Sequence, residues 1–268
     1  MEGGQILKGK HAVVFGAAGS IGSGVAREFA AQGAEVFLAG RSSPGLEELA
    51  KQITAGGRKA HIAVIDAEDE TTVDAYIAGI AREAGSVDIV CNVIGPRVKD
   101  YANGTPAIYL TVDQFMLPLT TFVKSEFITS RAAARQMVEQ HSGVIIFVTG
   151  SPARAHTPGT TAIGAAFGAI ENFTRNLAHD VSPHGVRVVC IRASAMPDTR
   201  TIRQTGELAA ARTNKSADQM FAMLANATLL KVSPTVADTA RAAAFVASDN
   251  ARMMTGTVLN SSAGAVID

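Results

Sequence analysis

The chain has 268 residues, 47% of them hydrophobic, and its 24 Lys and Arg residues balance its 24 Asp and Glu residues. A formal net charge of zero leaves no electrostatic footprint for a nucleic acid or an anionic membrane, so we expect a small-molecule partner. Apolar runs such as "VIIFV" are far shorter than the roughly 20 residues that span a bilayer, and no signal pattern opens the chain. These features predict a cytoplasmic protein.

The two cysteines and the histidines give no sign of a metal site. Cys91 and Cys190 each lie inside an apolar run, which is typical of buried reduced thiols rather than of a disulfide. No Cys and His cluster has metal-ligand spacing, so we expect no bound metal.

Short apolar runs alternate with Ala-rich helical patterns along the whole chain. The runs, in chain order, are "HAVVFG", "AEVFLAG", "KAHIAVID", "VDIVCNV", "GVIIFVTG", "GVRVVCIRA" and "GTVLNSS", and the helical patterns cover residues 20–32, 45–55, 69–84, 120–140, 162–181 and 234–248. Such alternation predicts βαβ units. The fold class is therefore α/β, a doubly wound (Rossmann-type) parallel sheet of about seven strands with helices on both faces.

No linker, repeat or low-complexity tract divides the sequence, so we predict a single domain over residues 1–268. A ligand crevice is expected at the carboxyl ends of the strands. Residues 194–231 interrupt the alternation after the sixth strand, and they are the candidate for a substrate lid over that crevice.

A glycine-rich turn, "GAAGSIGSG", follows the first strand. Gly16, Gly19 and Gly22 open the next helix, where glycines let the backbone approach a pyrophosphate and the helix N-terminus offers N–H donors. The motif is weak alone, since such a turn can serve packing only. Its place after the first strand of an alternating chain favours a dinucleotide site.

The second strand ends "LAGRSS", without the acidic residue that would bind a ribose 2′-hydroxyl. Gly40 stands at that place and Arg41 follows, and a guanidinium there suits a 2′-phosphate. We therefore predict NADP(H) as the cofactor in preference to NAD(H). The alternative is that Arg41 is a solvated turn residue.

These segments, in this order, resemble the short-chain dehydrogenase/reductase family over nearly the whole chain. The similarity is carried by "LKGKHAVVFGAAGSIG", "VIDAED", "CNVIG", "GVRVVCIRASAMPDT" and the C-terminal "SPTVADTARAAAFVASDNARMMTGTVLNSSAG". The resemblance implies a homotetramer or homodimer that associates through the helices at 120–140 and 162–181. It also implies the cofactor-binding residues Gly16, Gly19, Ser20, Ile21, Gly22, Arg41, Ser42, Asp66, Ala67, Asn92 and Gly95.

The nicotinamide end of the motif departs from the family pattern more than the adenosine end does. Phe15 stands where the family has Thr before the first Gly, and Ser20 stands at the middle Gly, with Gly19 one place early. Ala193 and Ser194 replace the family's Pro-Gly after the sixth strand.

The resemblance implies a catalytic tetrad of Asn, Ser, Tyr and Lys, but none of the four is present. An ungapped alignment puts Phe122 at the Asn place, Gly150 at the Ser place, Ile163 at the Tyr place and Phe167 at the Lys place. Ile163 and Phe167 are four residues apart, so they share a helix face that points into the crevice if the family geometry holds. We expect ordinary carbonyl reduction to be severely impaired, because positioned acid catalysis typically contributes about 10²–10⁴-fold. The alternative is that both are core residues of a helix that packs differently.

Other side chains are weak candidates for a proton donor. His156 lies in the loop that would border the substrate, and its imidazole titrates near neutral pH, although a lone loop histidine is more often a surface residue. Lys124 is expected to face away from the cofactor. Tyr101 and Tyr109 could overhang the pocket or cover apolar surface.

Two classes of function remain open from the sequence. The first is an NADP(H)-dependent oxidoreductase with an atypical site, acting on an activated double bond or an imine. The second is a non-redox protein that keeps the pocket, such as a repurposed isomerase or cyclase or an NADP(H)-binding regulatory subunit. The sequence retains the residues expected to bind the adenosine end of the cofactor, which favours the first class.

Overall fold

A computed structural model describes residues 4–155, 157–210 and 215–267, and within this part seven parallel strands form one sheet. The strand order is β3-β2-β1-β4-β5-β6-β7, so the winding direction reverses between β1 and β4. This arrangement confirms the predicted doubly wound fold. The strands are β1 (His11–Phe15), β2 (Glu35–Gly40), β3 (Ala60–Val64), β4 (Ile89–Asn92), β5 (Gly143–Gly150), β6 (Val186–Ala193) and β7 (Thr257–Asn260).

Helices cover both faces of the sheet, as predicted, and each face has its own apolar core. Alternate residues of a strand enter opposite cores: Val13 and Phe15 of β1 pack on one side, Ala12 and Val14 on the other. The second side is covered by α1 (Ser20–Ala31), α2 (Ser43–Ala55) and α9 (Val236–Ala247). The first side is covered by α3 (Glu70–Ala84), α4 (Val112–Pro118), α5 (Ser125–Gln140) and α6 (Thr161–Val181).

The predicted helix at 120–140 differs from the observed structure. Helical structure already begins at Val112, and a π-helical segment, Leu119–Lys124, joins α4 to α5. Pro118 directly precedes this segment, and because proline has no N–H to donate, it interrupts the regular ladder of hydrogen bonds. The hydroxyl of Thr120 donates to the Met116 carbonyl at 2.6 Å and so satisfies one of the carbonyls at the break.

The described residues of the candidate lid at 194–231 form two helices. These are α7 (Arg200–Ala210) and α8 (Ala217–Ala227), and α8 begins with a capping box between Ser216 and Gln219. The backbone N–H of Arg200 donates to the hydroxyl of Ser20, at the start of α1, at 3.2 Å. This segment therefore contacts the glycine-rich turn directly.

No helix in the described part of the chain is long and apolar enough to cross a membrane. Within the same residues, no group of three or more His, Cys, Asp or Glu side chains could hold a metal ion.

A buried ion pair attaches α6 to the ends of β5 and β6. The Glu171 carboxylate accepts from Arg192 Nε and Nη2 at 2.7 Å each, and both side chains are nearly inaccessible. The hydroxyl of Thr149, on β5, donates to the same carboxylate at 3.3 Å. A buried charge-assisted pair of this geometry is stable only while both partners are present.

We predict that Glu171→Gln or Arg192→Met alone lowers the free energy of unfolding by about 3–5 kcal/mol, because each removes one charge of a buried ion pair while the other charge stays buried. The double change Glu171→Leu with Arg192→Met should recover part of that loss. Urea unfolding measures both effects. Glu83→Gln, in an exposed pair with Arg82, is the control and should change stability by less than about 1 kcal/mol. Equal effects of Glu83→Gln and Glu171→Gln would contradict the prediction.

Candidate functional site

The turn between β1 and α1 is a cradle that only glycine can form. Gly16 has a φ of 78°, and a Cβ atom there would lie 2.7 Å from the Val93 carbonyl oxygen at the end of β4. A Cβ on Gly22 would collide with the Gly16 carbonyl. Gly19 caps α1 without any side-chain hydrogen bond, so the first N–H groups of the helix have no side-chain cap. Such a helix start suits a bound phosphate group.

The carboxyl ends of β2 and β3 lie beside this cradle. The N–H groups of Gly16 and Ala17 donate to the Ala39 carbonyl at 2.9 and 3.1 Å, which brings the end of β2 against the turn. Arg41 and Ser42 follow as exposed residues, and among the described residues the guanidinium of Arg41 has no hydrogen-bond or ion-pair partner. A cation is thus available at this corner of the crevice.

Asp66 and Ala67 complete the same corner after β3. The Asp66 side chain is exposed, and its carboxylate accepts from the Glu68 N–H at 3.0 Å. Ala67 is buried. The Asp66 carboxylate is therefore engaged by its own turn, and Ala67 presents only a small apolar surface.

The end of β4 lies under the other half of the crevice. Asn92 is fully buried, and its Oδ1 accepts from the Thr129 hydroxyl of α5 at 2.9 Å. A Cβ on Gly95 would lie 2.8 Å from Cζ of Phe122. The missing side chain at Gly95 therefore gives room for the Phe122 ring.

The four residues that the sequence alignment puts at the tetrad places lie close together. The rings of Phe122 and Phe167 meet edge to face with centroids 5.2 Å apart, and a Cβ on Gly150 would lie 3.0 Å from Cε2 of Phe167. Ile163 is buried one helical turn before Phe167, in the same apolar core as Phe122. We call Phe122, Ile163 and Phe167 the apolar wall. It offers no group that can hold or donate a proton.

An open pocket of about 460 Å³ lies beside α6. The loop that bears it is fixed by Gly159, whose carbonyl accepts from the Gly104 N–H at 2.9 Å. Its described lining is small and uncharged, and it consists of Pro152, Ala155, Thr157, Pro158, Thr160, Thr161, Gly164 and Ala165. The pocket is therefore suited to an uncharged part of a ligand.

The other candidate donors are separated from one another. His156 lies outside the described residues. Lys124 is half exposed and pairs with Glu68 at 3.4 Å, and Tyr109 is 71% exposed. Tyr101 is buried, and burial raises the pKa of its phenol to about 12, which makes it a poor acid near neutral pH.

A layer of buried polar side chains beneath the apolar wall was not predicted from the sequence. Besides the Glu171–Arg192 pair it contains Cys190, whose thiol lies 3.3 Å from the Thr149 hydroxyl and whose pKa burial raises to about 12. It also contains Glu126, which is fully buried one helical turn after Phe122. The signal available in the sequence was spacing, since Glu126 follows Phe122 by four residues and Glu171 follows Phe167 by four.

Comparisons with known proteins agree with this geometry. Residues 16–265 match the family described as enoyl-(acyl carrier protein) reductase. Gluconate 5-dehydrogenase of Gluconobacter oxydans (strain 621H) is 31% identical over 182 residues, which are 68% of this chain and 69% of that protein.

Two solved structures share the fold. An NAD⁺-bound xylitol dehydrogenase superposes with a TM-score of 0.88 at 24% identity, over 95% of this chain and 98% of the other. An actinorhodin polyketide ketoreductase with NADPH superposes with a TM-score of 0.87 at 19% identity, over 96% and 97%. The matched family and the oxidoreductase relative agree with the resemblance read from the motifs. The chain therefore belongs to the short-chain dehydrogenase/reductase family of nicotinamide-dependent oxidoreductases.

Proposed function

We propose that the chain is an NADP(H)-dependent oxidoreductase with an atypical active site that reduces an activated double bond or an imine. The observation that carries the proposal is the edge-to-face contact of Phe122 and Phe167 beside Gly150, at the places where the family has Asn, Lys and Ser. A glycine cradle for the cofactor is kept while the proton relay is replaced by rings. A site that binds the cofactor but provides no general acid favours substrates whose reduction needs little acid catalysis.

The residues of the cradle fit a dinucleotide. Because Gly16 and Gly22 have no Cβ, the turn can pack against the Val93 carbonyl and against its own Gly16 carbonyl. The start of α1 has no side-chain cap, and its N–H groups suit a pyrophosphate. We assign Gly16, Gly19, Ser20, Ile21 and Gly22 to the pyrophosphate, Arg41 and Ser42 to a 2′-phosphate, Asp66 and Ala67 to the adenine, and Asn92 and Gly95 to the base of the nicotinamide pocket. The segment 194–231 would cover this site, which is supported by the Arg200 to Ser20 hydrogen bond.

The apolar wall determines which acceptors are suitable. NADPH, when bound, supplies a hydride. Phe122 and Phe167 exclude water from the strand ends and give no proton to a developing alkoxide, so an unactivated ketone is a poor acceptor. An iminium carbon is already cationic, and it becomes a neutral amine on hydride addition without any proton. An enone spreads the developing charge over an enolate, which would take its proton from solvent after the hydride has been transferred.

The first test concerns the cofactor. We predict that NADPH binds about ten- to hundredfold more tightly than NADH, because charge-assisted hydrogen bonds are worth about 1.5–3 kcal/mol. Arg41→Ala should remove most of this preference in a calorimetric titration. Arg252→Ala, an exposed arginine before β7, is the matched control and should leave it unchanged. Equal affinities of the parent protein for the two nucleotides would reject the assignment.

The second test concerns the missing relay. We predict that Gly150→Ser, Ile163→Tyr or Phe167→Lys made singly yields no carbonyl reduction. A serine Cβ at residue 150 would press on the Phe167 ring, a buried Tyr without its Lys keeps a high pKa, and a lone buried Lys is unfavourable. Only the combined triple change, with or without Phe122→Asn, has a chance of raising NADPH oxidation with activated ketones above the slow turnover of the parent protein.

The assay is NADPH oxidation with a panel of activated ketones, enones and preformed iminium salts. Turnover of the enones or iminium salts with slow turnover of ketones is expected. Ketone turnover by the parent protein at about 1 s⁻¹ or faster would show that another residue donates the proton. His156→Ala would then be the first variant to make.

We also propose that two copies associate through α5 and α6 in a cytoplasmic homodimer or homotetramer. Phe127 is 45% exposed on this face, with Phe173 beside it at 6.1 Å between ring centroids and the Arg131 guanidinium 5.1 Å from its ring centroid. A groove of about 470 Å³ runs between the two helices. An exposed aromatic and arginine cluster of this kind is typical of protein interfaces.

We predict that light scattering reports a dimer or tetramer at micromolar concentration and that Phe127→Glu lowers the mass, because a carboxylate would be buried in the contact. Met253→Glu is the control, since Met253 is 86% exposed in the segment before β7. A monomeric parent protein would reject the interface.

A further inference from the structure

Helix α5 buries polar side chains and exposes an aromatic one. Ser125, Glu126, Thr129 and Ser130 are all inaccessible, whereas Phe127 is 45% exposed. An ordinary core-facing helix has the opposite pattern. Apolar packing alone therefore does not explain which residues of α5 are buried.

Glu126 is the least satisfied member of this face. Both of its carboxyl oxygens are buried without a hydrogen-bond partner among the described residues, and so is Nδ2 of Asn92. The Thr129 hydroxyl has a single hydrogen, which can serve either Asn92 Oδ1 at 2.9 Å or the Ser125 carbonyl at 2.7 Å. An ionised carboxylate in such surroundings would be very unfavourable, whereas a neutral carboxylic acid is tolerated.

The charges around Glu126 do not compensate an ionised carboxylate. Burial raises the pKa of Glu126 well above the ordinary 4.5. Glu171 and Arg192 neutralise each other, and on the neighbouring helix α3 the acids Glu70 and Asp74 are paired with arginines of α5. Among the described residues, the charge of Glu126 also reaches the thiols Cys91 and Cys190, whose pKa values are raised by burial and further by Glu126.

Glu126 is coupled to the apolar wall through the helix. Phe122 precedes it by four residues, so the two side chains lie on the same face, and the Phe122 ring occupies the space over Gly95. We propose that Glu126 is a positioning residue of the candidate site, which keeps Phe122 over Gly95 and against Phe167 only while its carboxyl carries a proton. Hydration of an ionised carboxylate requires this part of α5 to leave the sheet, and Phe122 must leave with it.

The direction of the pH effect follows from proton binding. Between the ordinary carboxyl pKa and the raised folded-state value, the folded chain holds a proton that the unfolded chain has released. The stability of the fold therefore falls as pH rises through this window and is greatest below it. Removing the titration by Glu126→Gln should flatten that dependence while keeping the shape of the side chain.

The first arm of the test is thermal unfolding of the parent protein, Glu126→Gln and Glu139→Gln between pH 5 and pH 9. Glu139 is an exposed glutamate on the same helix and is the matched control. At pH 8, Glu126→Gln should unfold at least about 2 °C above the parent protein, with a smaller gap at pH 5, and Glu139→Gln should follow the parent. Should Glu126→Gln fail to fold, Glu126→Met provides the same comparison. Identical pH dependence of the parent and both Glu126 variants would overturn the proposal.

The second arm rests on the proposed function and measures NADPH affinity from pH 6.5 to pH 9. In the parent protein the dissociation constant should rise at alkaline pH, by up to about tenfold per pH unit above the folded-state pKa. In Glu126→Gln it should stay flat over this range. A parallel rise in both proteins would overturn the positioning role. If neither protein binds NADPH, the proposed function fails, and the unfolding arm decides the role of Glu126 independently.

Discussion

The contact between the turn after β1 and the end of β4 determines where everything else in the crevice can lie. A Cβ at Gly16 would sit 2.7 Å from the Val93 carbonyl oxygen, so this contact exists only because residue 16 has no side chain. The contact falls at the reversal of strand order, where β1 and β4 are neighbours and the helices after them diverge to opposite faces. A doubly wound sheet leaves its crevice at this place. The start of α1, the corner at Arg41 and the loop after Asn92 all border the same opening as a result.

The same use of glycine recurs at the other end of the crevice with a different consequence. Gly95 and Gly150 leave space that is taken by the rings of Phe122 and Phe167. At this end of the crevice the surface therefore consists of two packed rings. A single substitution is therefore not expected to create a proton relay, because the rings of Phe122 and Phe167 occupy the spaces at Gly95 and Gly150 and contact each other. Several of these residues would have to be substituted together to make the site polar.

The buried pair of Glu171 and Arg192 could not be predicted from the sequence, whereas the sheet could. Continuous apolar runs and Ala-rich patterns were enough to predict the sheet, because strands buried on both faces must be apolar throughout. The glycine turn and the residues aligned with the tetrad could be identified because both patterns are local in sequence. Contacts across the sheet were not, since Glu171 and Arg192 come from different elements and periodicity treats charged residues as exposed. The π-helical segment was signalled only by Pro118, and the beginning of α4 at Val112 was missed because residues 110–118 mix polar and apolar side chains.

Helix α5 shows why a buried acid and an exposed aromatic residue can be retained side by side. Successive residues of an α-helix are about 100° apart around its axis. A rotation of α5 by that angle would bring Phe127 to the buried side and carry Glu126 toward solvent. That rotation would also remove Phe122 from Gly95 and Thr129 from Asn92, so the contacts at the strand ends fix the orientation of the helix. In this orientation the Glu126 carboxyl has no hydrogen-bond partner among the described residues, and the Phe127 ring is partly exposed. Burial favours the neutral acid form of Glu126, and the exposed ring of Phe127 is the surface that the proposed second copy would cover. The packing of one ring over one glycine therefore links the interior of the site to the surface through which the chain would associate.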